Sequence, residues 1–279
     1  MRIVKILLLV LTAAAVIAYS AVEIQAAFFT DKTPPVITFD TDTLQLSVHD
    51  DASALLDGVC ASDDRDGDLT RQVLIRSVSQ FTGESTALVS YIVFDSSDNM
   101  GTASRSVVYT DYTPPRFALS EPLVFAPSSS VALSSRLTAQ DVLDGDISDS
   151  IRLVSSNLAS GTEGEYVVAV QVTNSMGDTA EAALPVIIRR ASAQAPVLAL
   201  KEALVYLPEG SDFSARDYFL GLWESQAAAD SGQTMQSSLS GVEVESNVNT
   251  DVPGCYQVLY RYRNGAGYES CVGLAVVIE

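Results

Sequence analysis

The chain has 279 residues, 47% hydrophobic and 8% aromatic, with 16 Lys+Arg against 35 Asp+Glu for a formal net charge of −19. Such a composition can bury a core, which excludes a disordered tail. The charge repels polyanions, and with no basic stripe in the sequence it excludes nucleic acid as a partner. One histidine and three cysteines, none in a CxxC pair, exclude a zinc site of the Cys/His kind.

Residues 1–30 read as a membrane-targeting segment. Arg2 and Lys5 precede Ile6–Val22, 17 residues without a charge, at the short end for spanning hydrocarbon about 30 Å thick. Ile3, Val4 and the stretch to Phe29 extend it, with Glu23 near the outer interface. The positive-inside rule places Met1–Lys5 in the cytoplasm and the rest outside. Two outcomes stay open. A retained single-pass anchor is favoured, because the apolar run continues past Ala18 and Ser20 and no second attachment precedes Glu279. A cleaved signal peptide is the rival, those two small residues offering the cut and leaving a secreted protein. Both export the chain.

The motif DKTPP (Asp31–Pro35) is echoed by DYTPP (Asp111–Pro115), and RRASAQAP (Arg189–Pro196) again ends in proline. Proline fixes φ, removes a donor and pushes its predecessor toward extended geometry, so these stretches read as domain starts. They divide the exported part into 32–111, 112–190 and 195–279. The first division predicts strands near Val36–Phe39, Leu44–Val48, Gly58–Ala61, Gln72–Val78, Leu88–Phe94 and Ala103–Tyr109. The second predicts Leu123–Phe125, Val131–Leu133, Leu137–Ala139, Ile151–Val154, Tyr166–Val172 and Ala182–Ile188.

Each division closes with the same device: Tyr91–Tyr109, Val168–Ile188 and Val258–Ile278 are alternating apolar runs broken by an Asp/Asn/Gly turn. That is a β-hairpin pattern. The turn anchors Asp95, Asn174 and Asn264 lie 79 and 90 residues apart, a spacing too long for a solenoid and right for small β-sandwiches. In the third division Phe213–Ala229 spaces Phe219, Leu222 and Trp223 as one helical face behind Ser214, a candidate N-cap. It predicts a short helical insertion, which accounts for the longer second spacing.

TPPVI (Thr33–Ile37), GVCASDDRDGDLT (Gly58–Thr70) and YIVFDSSDNMGTAS resemble the bacterial immunoglobulin-like domains found in tandem on surface proteins and in some pesticidal crystal proteins. The second division matches with TPP, AQDVLDGDISDSI (Ala139–Ile151) and GEYVVAVQVTNSMGDTA, whereas the third keeps only PGCYQVLYRYRNGAGY (Pro253–Tyr268). The resemblance implies an all-β chain of three immunoglobulin-like sandwiches, the last diverged. It implies no activity, since such domains serve as spacers, stalks and binding modules.

Four features carry candidate chemistry. Asp63, Asp64, Asp66 and Asp68 form the densest acidic cluster, and Asp64, Asp66 and Asp68 have the alternate spacing that offers hard oxygens to Ca²⁺. The competing account is an Asp-Gly turn whose carboxylates cap backbone N–H groups, echoed at Asp144–Asp146; Ile75 stands where a calcium loop of the EF type needs its acid. His49 at a strand end has no matched nucleophile, and no GxSxG, HExxH or GxxxxGK[ST] occurs, so no enzyme is expected. Trp223, Tyr218, Tyr260 and Tyr262 offer a sugar-stacking platform, against the alternative that alternate tyrosines on a hairpin are core or cross-strand pairs. Finally, Cys255 and Cys271 flank one hairpin, which invites a disulfide; with the turn centred on Gly265–Ala266 they sit offset by about 15 Å along it, beyond disulfide reach, so free cysteines are favoured over a bridge.

The expectation is therefore a non-enzymatic, membrane-tethered stalk of immunoglobulin-like modules outside the cell. It would touch other surface proteins or, through the aromatics of its last module, glycans, and it requires no cofactor unless Ca²⁺ binds.

Overall fold

The computed structural model describes residues 2–29, 31–127, 131–159 and 161–279. It is a mostly β chain in two compact units, Met1–Asp111 and Tyr112–Glu279. The first opens with α1 (Arg2–Phe29), which at 1.5 Å rise per residue is about 42 Å long. Its span Ile3–Glu23 is apolar and long enough to cross a bilayer, and every side chain described along it is exposed.

The sandwich of the first unit follows from period-2 alternation. Its strands are β1 (Val36–Phe39), β2 (Thr43–Leu46), β3 (Val59–Asp63), β4 (Gly67–Asp68), β5 (Leu74–Val78), β6 (Thr86–Phe94) and β7 (Met100–Tyr109). They form two sheets, β1-β3-β4 and β2-β7-β6-β5. On β6, Ala87, Val89, Tyr91 and Val93 all point inward and are fully buried, as alternate residues of a strand with one core face must be. Val89, Tyr91 and Val93 share a core with Ile37, Val59 and Ala61 of the facing sheet. One polar side chain joins this core: Arg105, 3% exposed, in the middle of β7.

The second unit writes the pattern twice. Its first module has β8 (Arg116–Leu119), β9 (Leu123–Phe125), β10 (Leu137–Asp141), β11 (Gly145–Asp146), β12 (Arg152–Ser156), β13 (Gly164–Thr173) and β14 (Thr179–Ile188). The sheets are β11-β10-β8 and β12-β13-β14-β9. The last module has β15 (Val197–Leu200), β16 (Leu204–Leu207), α2 (Ala215–Tyr218), β17 (Phe219–Trp223), α3 (Gln226–Asp230), β18 (Glu243–Ser246), β19 (Gly254–Arg263) and β20 (Glu269–Ile278). Its sheets are β15-β17 and β16-β20-β19-β18. In all three modules an early strand runs parallel to the closing one: β2 beside β7, β9 beside β14, β16 beside β20.

The three closing hairpins turn identically. Asp95, Asn174 and Asn264 each donate a backbone N–H to the carbonyl four residues on, Asn99, Asp178 and Tyr268. The fourth residue of each turn takes positive φ: 64° at Asp98, 82° at Gly177, 86° at Gly267. Two glycines and one aspartate supply the left-handed conformation that other residues resist.

Two sequence expectations need correction. Phe219, Leu222 and Trp223 lie on a strand, not on a helix: β17 pairs with β15, Val197 opposite Trp223, with a register shift at Ala199/Leu200. Only α2 and α3 are helical there, and Ser214 makes no side-chain cap. Val131–Leu133 is also not a strand; a 3-10 turn covers Leu133–Ser135, and the module's first strand is Arg116–Leu119 instead.

Within the second unit the two modules pack directly. From Leu184 onward both faces of β14 are largely buried, and β20 is buried almost throughout, which explains their near-continuous apolar runs LPVII and CVGLAVVI. Ile187, Leu259 and Cys271 form a cluster against Val124, and Leu204 and Ala275 of the last module join the core of the one before it. The rim is ionic. Arg261 grips Glu165 with two bonds of 2.8 and 2.5 Å and reaches Glu245 at 2.7 Å. That guanidinium holds the Glu165 carboxyl below its usual range.

The cysteines are free. Cys255 faces Val277 and Cys271 faces Arg261, about 20 Å apart along the ladder at ~3.3 Å per residue. Burial, with Glu165 nearby, pushes the Cys271 thiol up to about 12, while Cys60 is exposed. Since the thiolate is the reacting form, Cys60 is expected to label rapidly with iodoacetamide in the native chain and Cys271 only after denaturation. Peptide mass spectrometry reads the difference.

Candidate functional site

The strongest polar constellation lies at one end of the first sandwich, where three segments far apart in sequence converge. Asp31 opens the chain after α1, Asp63 ends β3, and Asp95 opens the closing hairpin turn. Asp31 and Asp95 are 6% and 7% exposed. One carboxylate oxygen from each of the three lies within 4.8 Å of the other two.

Each carboxylate is fixed by the local turn it caps. Asp31 Oδ1 accepts the Thr33 N–H at 2.9 Å. Asp63 Oδ1 accepts those of Arg65 and Asp66, at 2.9 and 3.0 Å. Asp95 Oδ1 accepts those of Ser97 and Asn99, both at 2.8 Å. The Asn99 amide donates to Asp95 Oδ2 at 2.7 Å and to the Asp31 carbonyl at 3.1 Å. Burial works against the Asp95 charge, yet the Asn99 and Ser97 donors outweigh it and hold that carboxyl below its usual range. Asp63 Oδ2 is sealed from solvent and accepts no hydrogen bond among the described residues. The cation beside the group is Arg65, half exposed, its Nε 3.6 Å from Asp31 Oδ2.

The same place in the other modules is satisfied by hydrogen bonds from an asparagine amide. Asp141 repeats Asp63: its Oδ1 accepts the N–H groups of Leu143 and Asp144, both at 2.9 Å. Its Oδ2, however, accepts the Asn174 amide at 3.0 Å, and the same amide donates to the Tyr112 hydroxyl at 2.8 Å. Burial and Asp178, which accepts the Tyr112 proton at 2.7 Å, push that phenol far up. In the last module Asn264 donates its amide to the carbonyls of Gln194 and Glu224. An amide N–H₂ thus stands among acceptors in two modules, where the first places a third carboxylate.

The acids singled out from sequence do other work. Asp66 accepts the Ser96 N–H and hydroxyl at 2.6 and 2.9 Å, latching one turn to the next; Asp144 repeats the latch with Ser175. Asp68 caps Thr70 at 2.9 Å, and Asp64 is exposed. Asp64, Asp66 and Asp68 are therefore not gathered around one point, because each carboxylate serves its own turn. The group that is gathered takes only Asp63 from that run. His49 is exposed.

The four aromatics are each engaged by other groups of the module. Tyr260 is fully buried, stacked on Phe219 with its hydroxyl on the Ala215 carbonyl, so its ring belongs to the core and not to a surface platform. Tyr218 stacks on Phe213 at 5.6 Å. Tyr262 donates to Glu224 at 2.7 Å, and the Trp223 indole donates to the Gln233 carbonyl at 2.8 Å; both keep a partly exposed face.

No protein-family model matches the chain. The pesticidal crystal protein Cry22Aa of Bacillus thuringiensis is 29% identical over 125 residues, 43% of this chain; the chain spans only 17% of that protein. Among solved structures, Drosophila N-cadherin EC1-3 aligns over 86% of this chain and 98% of its own at 12% identity and TM-score 0.29. The CBM51-2 and INT domains of Clostridium perfringens ZmpB align over 52% of this chain and 29% of theirs at 14% identity and TM-score 0.26. These similarities accompany a multi-module β-sandwich whose architecture rests on its own strand pairings.

Proposed function

We propose that the chain is a non-enzymatic, exported protein held in the membrane by α1, displaying its immunoglobulin-like modules outside the cell as a stalk that contacts other surface proteins. The observation that carries this reading is the unpartnered apolar length of α1, whose side chains from Ile3 to Val22 are exposed rather than packed on the sandwich. An apolar face of that size is unstable in water and stable in lipid. Arg2 and Lys5 at its start set the orientation. The strong negative charge keeps the displayed part soluble. Glycan recognition is the less favoured role, since Tyr260 is withdrawn into the core and Trp223 is tied to Gln233.

Expressed in bacterial cells with its own N-terminus, the chain is expected in the membrane pellet after carbonate extraction. Protease added to intact spheroplasts is expected to digest the modules. A full-length chain in the cytosolic supernatant would overturn the reading, and an N-terminus beginning after Ser20 would convert anchor into cleaved signal. A glycan-array signal lost on Trp223→Ala would move the contact from protein to sugar.

A further inference from the structure

We infer that Asp31, Asp63 and Asp95 are a calcium site, built only in the first module and clamping the segment after α1 onto the sandwich. Three observations converge on it. First, the ligand atoms are spaced for one ion: oxygens bound to a common Ca²⁺ at ~2.3–2.6 Å lie at most about 4.6–5.2 Å apart, and the three offered oxygens lie within 4.8 Å of each other. An all-carboxylate set selects a hard cation over zinc or copper.

Second, the charge does not close. Three carboxylates converge, and the guanidinium beside them among the described residues, that of Arg65, is half exposed and 3.6 Å from Asp31. Asn99 contributes an amide but no charge. Buried carboxylates left without a counter-charge are strongly destabilising. Third, Asp63 Oδ2 is enclosed and has no partner among the described residues. A buried acceptor in that state needs an explanation, and an ion is one of the recognised ones.

The repeat supplies an internal control. Asp141 sits in the same turn as Asp63, with the same two backbone donors on Oδ1, yet its Oδ2 takes a hydrogen bond from Asn174. Asn174 stands where the first module has Asp95. Two modules satisfy this pole with an asparagine amide, a positive dipole in the place a cation would take. The first exchanges that asparagine for a third acid and leaves the matching oxygen unpaired. Because Asp31 is the second residue beyond Phe29, an ion held there ties α1's end to β3 and to the closing hairpin. Calcium then governs how firmly the tether joins the displayed modules.

The test uses the full-length chain in detergent, titrated with CaCl₂ and, separately, MgCl₂ by calorimetry, with thermal unfolding followed in calcium and in chelator. One calcium per chain is expected, raising the first transition by about 5–15 °C at saturating ion. Asp63→Asn and Asp95→Asn are expected to weaken binding at least about 100-fold, whereas Asp64→Asn, altering the exposed neighbour, leaves it intact. In chelator Asp95→Asn is expected to melt no lower than the parent, since it installs the arrangement Asn174 already uses; this arm decides the matter if Asp63→Asn fails to fold. No saturable binding up to 10 mM calcium, or binding lost in Asp64→Asn and kept in Asp63→Asn, would falsify the site. Equal affinity for magnesium would overturn the choice of ion.

Discussion

Arg105→Ala is expected to destabilise the first sandwich by about 3–5 kcal/mol, a large share of the roughly 4–12 kcal/mol that a module of this size possesses. The guanidinium is enclosed by the groups it organises. Its Nε donates to the Tyr91 hydroxyl at 3.0 Å, and Nη2 donates to the carbonyls of Leu55 and Asp57 at 3.0 and 2.5 Å. Its carbon lies 5.2 and 5.6 Å from the rings of Phe39 and Tyr91. Alanine removes the donor from the Asp57 carbonyl and leaves a cavity between two aromatic rings. The positions equivalent to Arg105 in the other modules are Leu184 and Leu274, both fully buried, and each faces a valine across its hairpin as Arg105 faces Val89. Arg105→Leu is therefore expected to stay within about 2 kcal/mol of the parent, a buried charge being replaceable by a well-packed hydrophobe.

The measurement has a built-in reporter. The single tryptophan, Trp223, lies in the second unit. Arg105→Ala should lower the urea midpoint seen by circular dichroism while leaving the tryptophan transition in place. A tryptophan midpoint that moves equally would mean that the two units unfold as one.

The complementary experiment is Gly273→Val, which should shift the tryptophan transition and spare the first unit. Gly273 lies on β20 at the contact between the two modules of the second unit. A Cβ there would come 2.6 Å from both Cβ and Cγ of Pro185 on β14, and a proline ring cannot rotate away. The sheets must separate, exposing Ile187 and Leu259. Overpacking of this kind costs about 1–3 kcal/mol and more where the neighbour is rigid; we expect about 3 kcal/mol or above. Moving the small residue across the contact, with Pro185→Gly added, should recover at least half of the loss. Such a coupling identifies the Pro185–Gly273 contact itself as the source.

The hairpins were legible in the sequence because alternation and turn chemistry agree there, three times over. Tyr91–Tyr109 reads as apolar-in, polar-out, and the turn residues Asp98, Gly177 and Gly267 are of the types that accept positive φ. The inserted segment misled because Phe219 and Leu222 are spaced by three, as on a helix. The strand achieves the same spacing through its register shift beside Ala199 and Leu200, so two buried residues fall out of phase with simple alternation. Periodicity cannot separate these cases over five residues.

The acidic site was half visible. DDRDGD attracts attention because its acids are adjacent, but adjacency along an extended turn points carboxylates in different directions. Asp31, Asp63 and Asp95 are separated by 32 residues at each step, and only the closed sandwich brings them together. A signal was present nonetheless. Aligning the modules on their Gly-Asp turns sets Asp63 against Asp141, and aligning them on their hairpins sets Asp95 against Asn174; the change from amide to acid at one pole is what the packing later explains.

The parallel strand at the mouth of each module has a mechanical consequence. A sandwich tugged by its two ends passes the force into its early and closing strands. Where those strands run side by side in the same sense, as β2 beside β7 and β16 beside β20, the tug slides one along the other. All the hydrogen bonds between them are then strained at once, rather than opened singly from one end. Rupture under tension depends on the rate of unfolding and not on equilibrium stability. A chain anchored at one end and gripped at the other would resist shear from flow or from a departing neighbour for longer than its folding free energy alone implies.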